Sequence, residues 1–482
     1  MDERIAGAIS ATIVTAAGTA LLWWWLSLAP AVDIGIRVPL ESNIQARAHR
    51  TPAMVDLSGI FMSFDGEPSA IGGEWPRFRG SDFDNIVKDD FPIADSWPQH
   101  GPEVLWSVDL GDGHAGPAVH NGRVYILDYD EEKQGDALRC FSLDDGREIW
   151  RRWYEIGIKR NHGISRTVPA VTDRHVLSIG PKCHVTCIDA KTGEFLWGID
   201  LQVEYNTQVP LWYTGQCPLI DGDTAVIAPG GSALMIGVDI ATGEVLWQTP
   251  NPEGWAMSHS SVMPMEFAGR RMYVYSAIGA VVGVAADGDD IGEVLWHSTE
   301  WDRPVIAPSP IVFDDGRVFL TAGYGGGSMM VQVIEEGGEF DVEVLYTLDK
   351  SVFSCEQQTP ILYNGYLYGV LTNDSGALRR QFACLDPDTG ELVWTSGMEK
   401  RFGLGPFLLV DGRILVLSDD GVLTMIEATS RGYREIARAD ILDGRDAWGP
   451  MALVNGRLLA RDSMRLVCLD LTGGQMEAAT GG

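Results

Sequence analysis

GLGPFLLVDGRILVL, residues 403–417, reads as a proline, an apolar run, an Asp-Gly pair and a second apolar run. The same sentence recurs as HAGPAVHNGRVYIL (114–127), QQTPILYNGYLYGV (357–370) and WGPMALVNGRLLARD (448–462). Looser copies surround Pro169, Pro218, Pro264 and Pro310. The eight prolines are Pro117, Pro169, Pro218, Pro264, Pro310, Pro360, Pro406 and Pro450, so the intervals are 52, 49, 46, 46, 50, 46 and 44 residues. Proline lacks an N–H and sits best at a strand's first residue, before ladder bonding starts. Asp-Gly and Asn-Gly supply the positive φ of a tight hairpin turn. Several short strands repeating at 40–50 residues predict a β-propeller, and eight prolines predict eight blades.

A second phrase follows each proline by about 30 residues: LDDGREIW (Trp150), IDAKTGEFLW (Trp197), VDIATGEVLW (Trp247), DDIGEVLW (Trp296) and LDPDTGELVW (Trp394). The fifth repeat has Tyr346 in that place, and the seventh degenerates to EATSRGYREI. The phrase predicts a third strand, a turn closed by Asp and Gly, and an outer fourth strand whose tryptophan wedges between blades. The eighth repeat stops at VCLDLTGG and has no outer strand, while an orphan copy, GPEVLW with Trp106, precedes the first proline. We therefore expect Val104–Val108 to pair with Leu466–Leu469, closing the ring and leaving no open edge.

The Asp-x-x-Thr-Gly-Glu-x-x-Trp pattern resembles the tryptophan-docking repeat of PQQ-type, quinoprotein-like eight-bladed propellers, over roughly residues 101–471. The resemblance implies one of two functions. Quinoprotein dehydrogenases of this fold hold PQQ and usually Ca²⁺ in the central funnel. An assembly lipoprotein of the outer-membrane insertion machinery uses the same propeller to bind partners, without chemistry. This chain lacks the adjacent cysteine pair typical of the dehydrogenases, and its first cysteine is Cys140, far from any lipidation position. Cys183 and Cys187, four apart on one strand, stand about 13 Å from each other, too far to bridge.

With 36 basic and 67 acidic residues the net charge is −31, which argues against nucleic acid, whose phosphates demand a basic surface. Four of seven cysteines, Cys140, Cys187, Cys384 and Cys468, fall at one repeat position, as small buried apolar residues do. Ile5 to Val32 carries no charge and ends near Trp23-Trp24-Trp25, long enough for a bilayer-spanning helix with interfacial tryptophans. The rival reading is a cleaved signal peptide with Ala29-Pro30-Ala31 at the cleavage site. Arg37, Arg47 and Arg50 after the run outnumber Arg4 before it, yet large domains translocate largely regardless of such charges, so the propeller is expected on the exported side.

The expected organisation is a signal anchor over 1–32, an irregular strap over 33–100, the all-β propeller of four-stranded antiparallel blades over 101–471, and a disordered tail over 472–482. The strap contains GEWPRFRGSDFDNI, whose Trp75, Phe78 and Phe83 are expected to pack on the propeller's side, the alternative being a partner-docking motif.

In a propeller the first strand of each blade lines the central channel, so the residues just before the eight prolines converge at one mouth. They are His114; Arg160, Asn161, His162, Ser165 and Arg166; Trp212, Tyr213, Gln216 and Cys217; Ser258, His259 and Ser260; Ser309; Cys355, Glu356, Gln357 and Gln358; Arg401; and Asp446 and Trp448. From these, Arg160, His162, Arg166, Trp212, Gln216, His259, Glu356, Gln357, Arg401, Asp446 and Trp448 form the candidate binding set. Imidazoles suit proton transfer, arginines suit an anion, and the tryptophans suit a planar ring. The expected occupant is a small planar or anionic ligand, PQQ with Ca²⁺ under the dehydrogenase reading, or an envelope protein partner. Lys182-Cys183-His184, on a hairpin between second and third strands, is a weaker candidate. GYGGGS (Gly323–Ser328) lacks the helix a phosphate loop needs and reads as a turn.

Overall fold

The structure, a computed structural model, describes residues 15–24, 55–159 and 163–473. The chain divides into Met1–Met54 and Val55–Gly482. The first unit contributes an exposed helix over 15–24. Among the described residues no helix is long and apolar enough to cross a membrane, and most of the expected span Ile5–Val32 lies outside them. So does most of the expected disordered tail, from residue 474 on.

The second unit is an eight-bladed β-propeller of antiparallel blades. Seven of the eight prolines stand one or two residues ahead of a first strand; Pro264 lies within its own, Met263–Phe267. The turns follow the predicted chemistry. Asn121-Gly122, Asn364-Gly365, Asp411-Gly412 and Asn455-Gly456 all have positive φ at both residues, the mark of type I′ hairpins. Inner strands are almost wholly buried and apolar, and the seven cysteines are all buried and free.

Each tryptophan wedge has a defined seat. In all eight outer pairings the register slips by one residue at or next to the wedge position, a bulge that re-aims the side chain. The ring then lies on the turn glycine of the next blade: Trp106 on Gly146, Trp150 on Gly193, Trp197 on Gly243, Trp247 on Gly292, and Tyr346 on Gly390. The indole N–H of Trp106 donates to Leu143 O at 3.0 Å, and that of Trp197 to Ile240 O at 2.8 Å. A side chain at these glycines has nowhere to go. A Cβ on Gly243 would stand 2.7 Å from the Trp197 ring, at φ +80°, whereas Gly222 (φ +59°) has open space around it. Gly243→Ala should therefore cost about 3 kcal/mol and Gly222→Ala only about 1 kcal/mol, measured by urea unfolding. Equal costs would show that the ring is not seated on the glycine.

Ring closure is as expected. Glu103–Asp109 pairs with Arg465–Asp470, matching Val104 with Leu469, Trp106 with Cys468 and Val108 with Leu466. A further strand, Ile60–Ser63, drawn from the stretch expected to be irregular, adds to the outer edge of blade 1 opposite Trp150–Trp153.

The strap does not lie along the propeller's side as expected; residues 75–87 plug the channel. Trp75 exchanges backbone bonds with Val119 of blade 1, and Val171 N of blade 2 donates to Pro76 O at 2.8 Å. Arg77 donates to Ile220 O of blade 3 at 3.2 Å, and Val87 N to Leu409 O of blade 7 at 2.8 Å. Arg79, 5% exposed, donates to Thr359 O and Pro360 O of blade 6 at 2.9 and 3.1 Å. First strands end in a channel whose backbone groups point inward and need partners, and the strap's arginines and amides supply them. The bonds to Val119, Val171, Ile220 and Leu409 fall inside first strands, and those of Arg79 at the very start of blade 6's. The channel is thereby closed at the end opposite the mouth.

Candidate functional site

Closing the channel turns it into a cup. The cavity holds about 110 Å³, and its lining includes Arg166, Trp212, His259, Glu356, Gln357 and Trp448 from the candidate set. His114, Cys217 and Gln358 join them from the same loops, and Phe78 of the plug is a further wall. With Val305 and Ala307 before blade 5, the loops entering blades 1 to 6 and 8 thus converge on it.

Two aromatic pairs stand in the cup. Trp212 stacks with Tyr324 at 5.4 Å between centroids and 30° between planes, and His114 meets Trp448 at 4.9 Å. Trp212, Tyr213 and Tyr324 all hold positive φ, of 63°, 76° and 54°, an unfavourable conformation for bulky residues that only surrounding contacts sustain. Those contacts are visible. Arg166 Nε donates to Trp212 O at 2.7 Å, and Trp448 is clamped by its indole N–H to Asp419 at 2.7 Å and by Gln358 to its carbonyl at 2.9 Å.

The electrostatics are set by burial. Burial, helped by the Arg166 charge, pushes the His259 imidazole down to about 4, so it is neutral at pH 7. Burial lowers Arg166 only to about 10, which leaves it cationic. Glu356, 8% exposed, accepts from Thr372 Oγ1 at 2.6 Å and from the Asn373 amide groups at 3.3 and 3.4 Å. Burial, then the Glu356 charge and a hydrogen bond to it, pushes the Tyr324 phenol up to about 12. Burial likewise raises the Cys217 thiol to about 11, far from a reactive thiolate.

Other members of the candidate set are placed elsewhere. Gln216 is fully buried behind the wall, its amide spent on Ala228 O, Ala228 N and the Tyr275 hydroxyl, like a missing piece of ladder. Arg401 points away from the cup and is held by the carbonyls of Ala377, Arg379 and Met398. Asp446 is exposed on the loop before blade 8, at φ +50°, which turns it outward while Trp448 turns in. Arg160, Asn161 and His162 lie outside the described residues. Conversely, Phe78 and Tyr324 line the cup without having been singled out for it. Tyr324 sits in GYGGGS, indeed a turn, but one that aims an aromatic into the mouth.

Pyrroloquinoline quinone with calcium does not fit these residues. A planar tricarboxylate would face one described lining cation, Arg166, and one carboxylate already accepting hydrogen bonds from its own neighbours. Among the described residues no cluster of three or more His, Cys, Asp or Glu side chains is arranged to hold a metal.

A family model described as outer membrane protein assembly factor BamB matches residues 133–381 and 379–434. No curated protein matches the chain. Among solved structures, BamB from Moraxella catarrhalis is 15% identical with a TM-score of 0.52, covering 76% of this chain and 99% of its own. The quinohemoprotein alcohol dehydrogenase ADHIIG from Pseudomonas putida HK5 is 13% identical with a TM-score of 0.55, covering 83% and 80%. A europium-containing methanol dehydrogenase is 12% identical with a TM-score of 0.55, covering 82% and 89%. At such identities these likenesses are of fold.

Proposed function

Since the chain belongs to the propeller family of the outer membrane protein assembly factor BamB, we propose that it is a binding propeller of the cell envelope, without chemistry of its own. In this reading the uncharged run Ile5–Val32 anchors it, the propeller is exported, and the mouth receives a protein partner. One observation carries the proposal. The cup is walled by stacked aromatics around a single described lining cation, and the Cys217 thiol and the His259 imidazole are both held in their neutral forms at pH 7. Such a site stacks a planar group and donates to its polar edge; it does not move protons. Trp212, Arg166, His259, Glu356, Gln357 and Trp448 are the residues assigned to it.

The test uses the full chain in membranes. A photo-crosslinking residue at Gln357 should capture a discrete envelope protein, while one at the exposed rim position Glu253 should not. Trp212→Ala should weaken that complex by at least tenfold, the usual scale for a buried aromatic anchor. The captured chain should retain Met1 by mass; a chain starting near Val32 would remove the anchor. Equal capture from both positions overturns the partner reading. A new absorption band on adding PQQ and Ca²⁺ would restore the oxidoreductase one.

A further inference from the structure

Behind the wall of the cup, in the seam between blades 1 and 2, three buried polar side chains and the partly exposed Asp200 form a row that the binding role does not use. Asp136 Oδ2 lies 2.5 Å from the Tyr154 hydroxyl, which lies 3.1 Å from His184 Nδ1; His184 Nε2 faces Asp200 Oδ2 at 3.7 Å. Asp136, Tyr154 and His184 are 3%, 7% and 1% exposed. Asp136 and Tyr154 belong to blade 1, and His184 and Asp200 to blade 2, so the row joins the two blades side chain to side chain.

Counting protons along the row gives the argument. The links Asp136–Tyr154, Tyr154–His184 and His184–Asp200 each need a hydrogen, and the hydroxyl and a singly protonated imidazole supply two. The third must be taken from solution and held either on the Asp136 carboxyl or on the second nitrogen of His184. With it on Asp136, the carboxyl donates to Tyr154, Tyr154 donates to neutral His184, and His184 Nε2–H points at the Asp200 carboxylate. Without it, one of the three links has no hydrogen, and Asp136 is left as a carboxylate in a dry seam. Asp136 Oδ1 is buried with no hydrogen-bond partner, which suits a neutral carboxyl far better than an ion. Other groups facing it do not supply a cation. Asp128 on the preceding strand adds like charge and is itself engaged by Arg139 at 2.9 Å, and Tyr129 and Cys183 are neutral neighbours.

We propose that Asp136, Tyr154 and His184 share one buried proton that latches blade 1 to blade 2, and that its loss loosens the wall of the cup. The link to the wall is short. The Asp136 carboxyl packs on bare backbone at Gly180, where a Cβ would stand 2.2 Å from Oδ2. The next residues brace the mouth loop: Pro181 O accepts from Thr214 N at 3.2 Å, and Cys183 Sγ meets Thr214 Oγ1 at 3.1 Å. Thr214 lies between Trp212 and Gly215, both on the cup. This coupling to the wall rests on the binding role assigned to the cup; the latch does not.

Burial pushes the Asp136 carboxyl up from 3.8 to about 7 in the closed seam, while an opened seam returns it to the ordinary value. The closed form therefore holds a proton that the open form releases. Opening grows as pH rises from about 4 to about 7 and levels off above. Hydrogen exchange of the full chain without ligand reads this directly at Arg151–Glu155 and Val185–Ile188. After correction for intrinsic rates, the opening constant should rise roughly tenfold per pH unit in that window and be flat in Asp136→Asn. Should Asp136→Asn not fold, Tyr154→Phe decides. It removes the bond that favours the charged carboxyl, so the upper end of the window should move to higher pH. An unchanged profile in both variants, or in whichever folds, overturns the latch. A latch seen in exchange, with mouth crosslinking unaffected by pH, would retain the latch and overturn the coupling to the wall.

Discussion

A chain lacking residues 101–110 is expected to lose its cooperative melting transition and to aggregate. The deletion removes Glu103–Asp109, the outer strand of blade 8. Arg465–Asp470 would then present a bare edge, and such an edge recruits other chains. It also removes Trp106, so Gly146 of blade 1 loses the ring that covers it. Both sides of the seam fail together, which is why the effect exceeds that of any single wedge. Light scattering and circular dichroism on refolded protein check it. A deletion variant that stays monomeric and melts like the parent would mean the pairing contributes nothing to the ring.

Arg79→Met should be the most damaging single substitution in the plug, costing about 4 kcal/mol. The guanidinium is buried, lowered by that burial to about 10, and donates to Phe83 O, Thr359 O and Pro360 O. Methionine fills much of the volume but leaves three carbonyls without donors. The same change should expose residues 75–90 to protease, because Arg79 ties the plug to blade 6. Unchanged melting together with unchanged proteolysis would show that the plug is held by its backbone bonds to Val119, Val171 and Leu409 alone.

What the sequence disclosed is what repeats or is local. Pro406 and Asp411-Gly412 specify a strand start and a turn through their own φ angles, whatever the rest of the chain does. Closure was legible because one repeat lacked its outer strand and an orphan copy stood ahead of the first. The plug was not legible. It has no period, and Arg79 finds its partners some 280 residues away. The repeat says which loops reach the mouth, which is why His259, Glu356 and Trp448 were found. It does not say which way each side chain turns. Asp446 and Trp448, two apart on one loop, end in solvent and in the cup respectively. Gln216 looked like a ligand-binding amide for the same reason, although its bonds complete a ladder.

The placement of the N-terminal stretch also bears on how such a chain matures. Its first pieces to be synthesised, the strand Ile60–Ser63, the plug and the strand Glu103–Asp109, find seats on blades 1, 2, 3, 6, 7 and 8. Bringing Val108 to Leu466 closes a loop of nearly the whole propeller, an entropic cost of about 5 kcal/mol that no partial ring offsets. A polypeptide cut short by even its last repeat keeps the strand Glu103–Asp109 but has nowhere to dock it. The architecture thus reports on its own completeness: a product that ends before its last repeat carries an unpaired strand and an open edge.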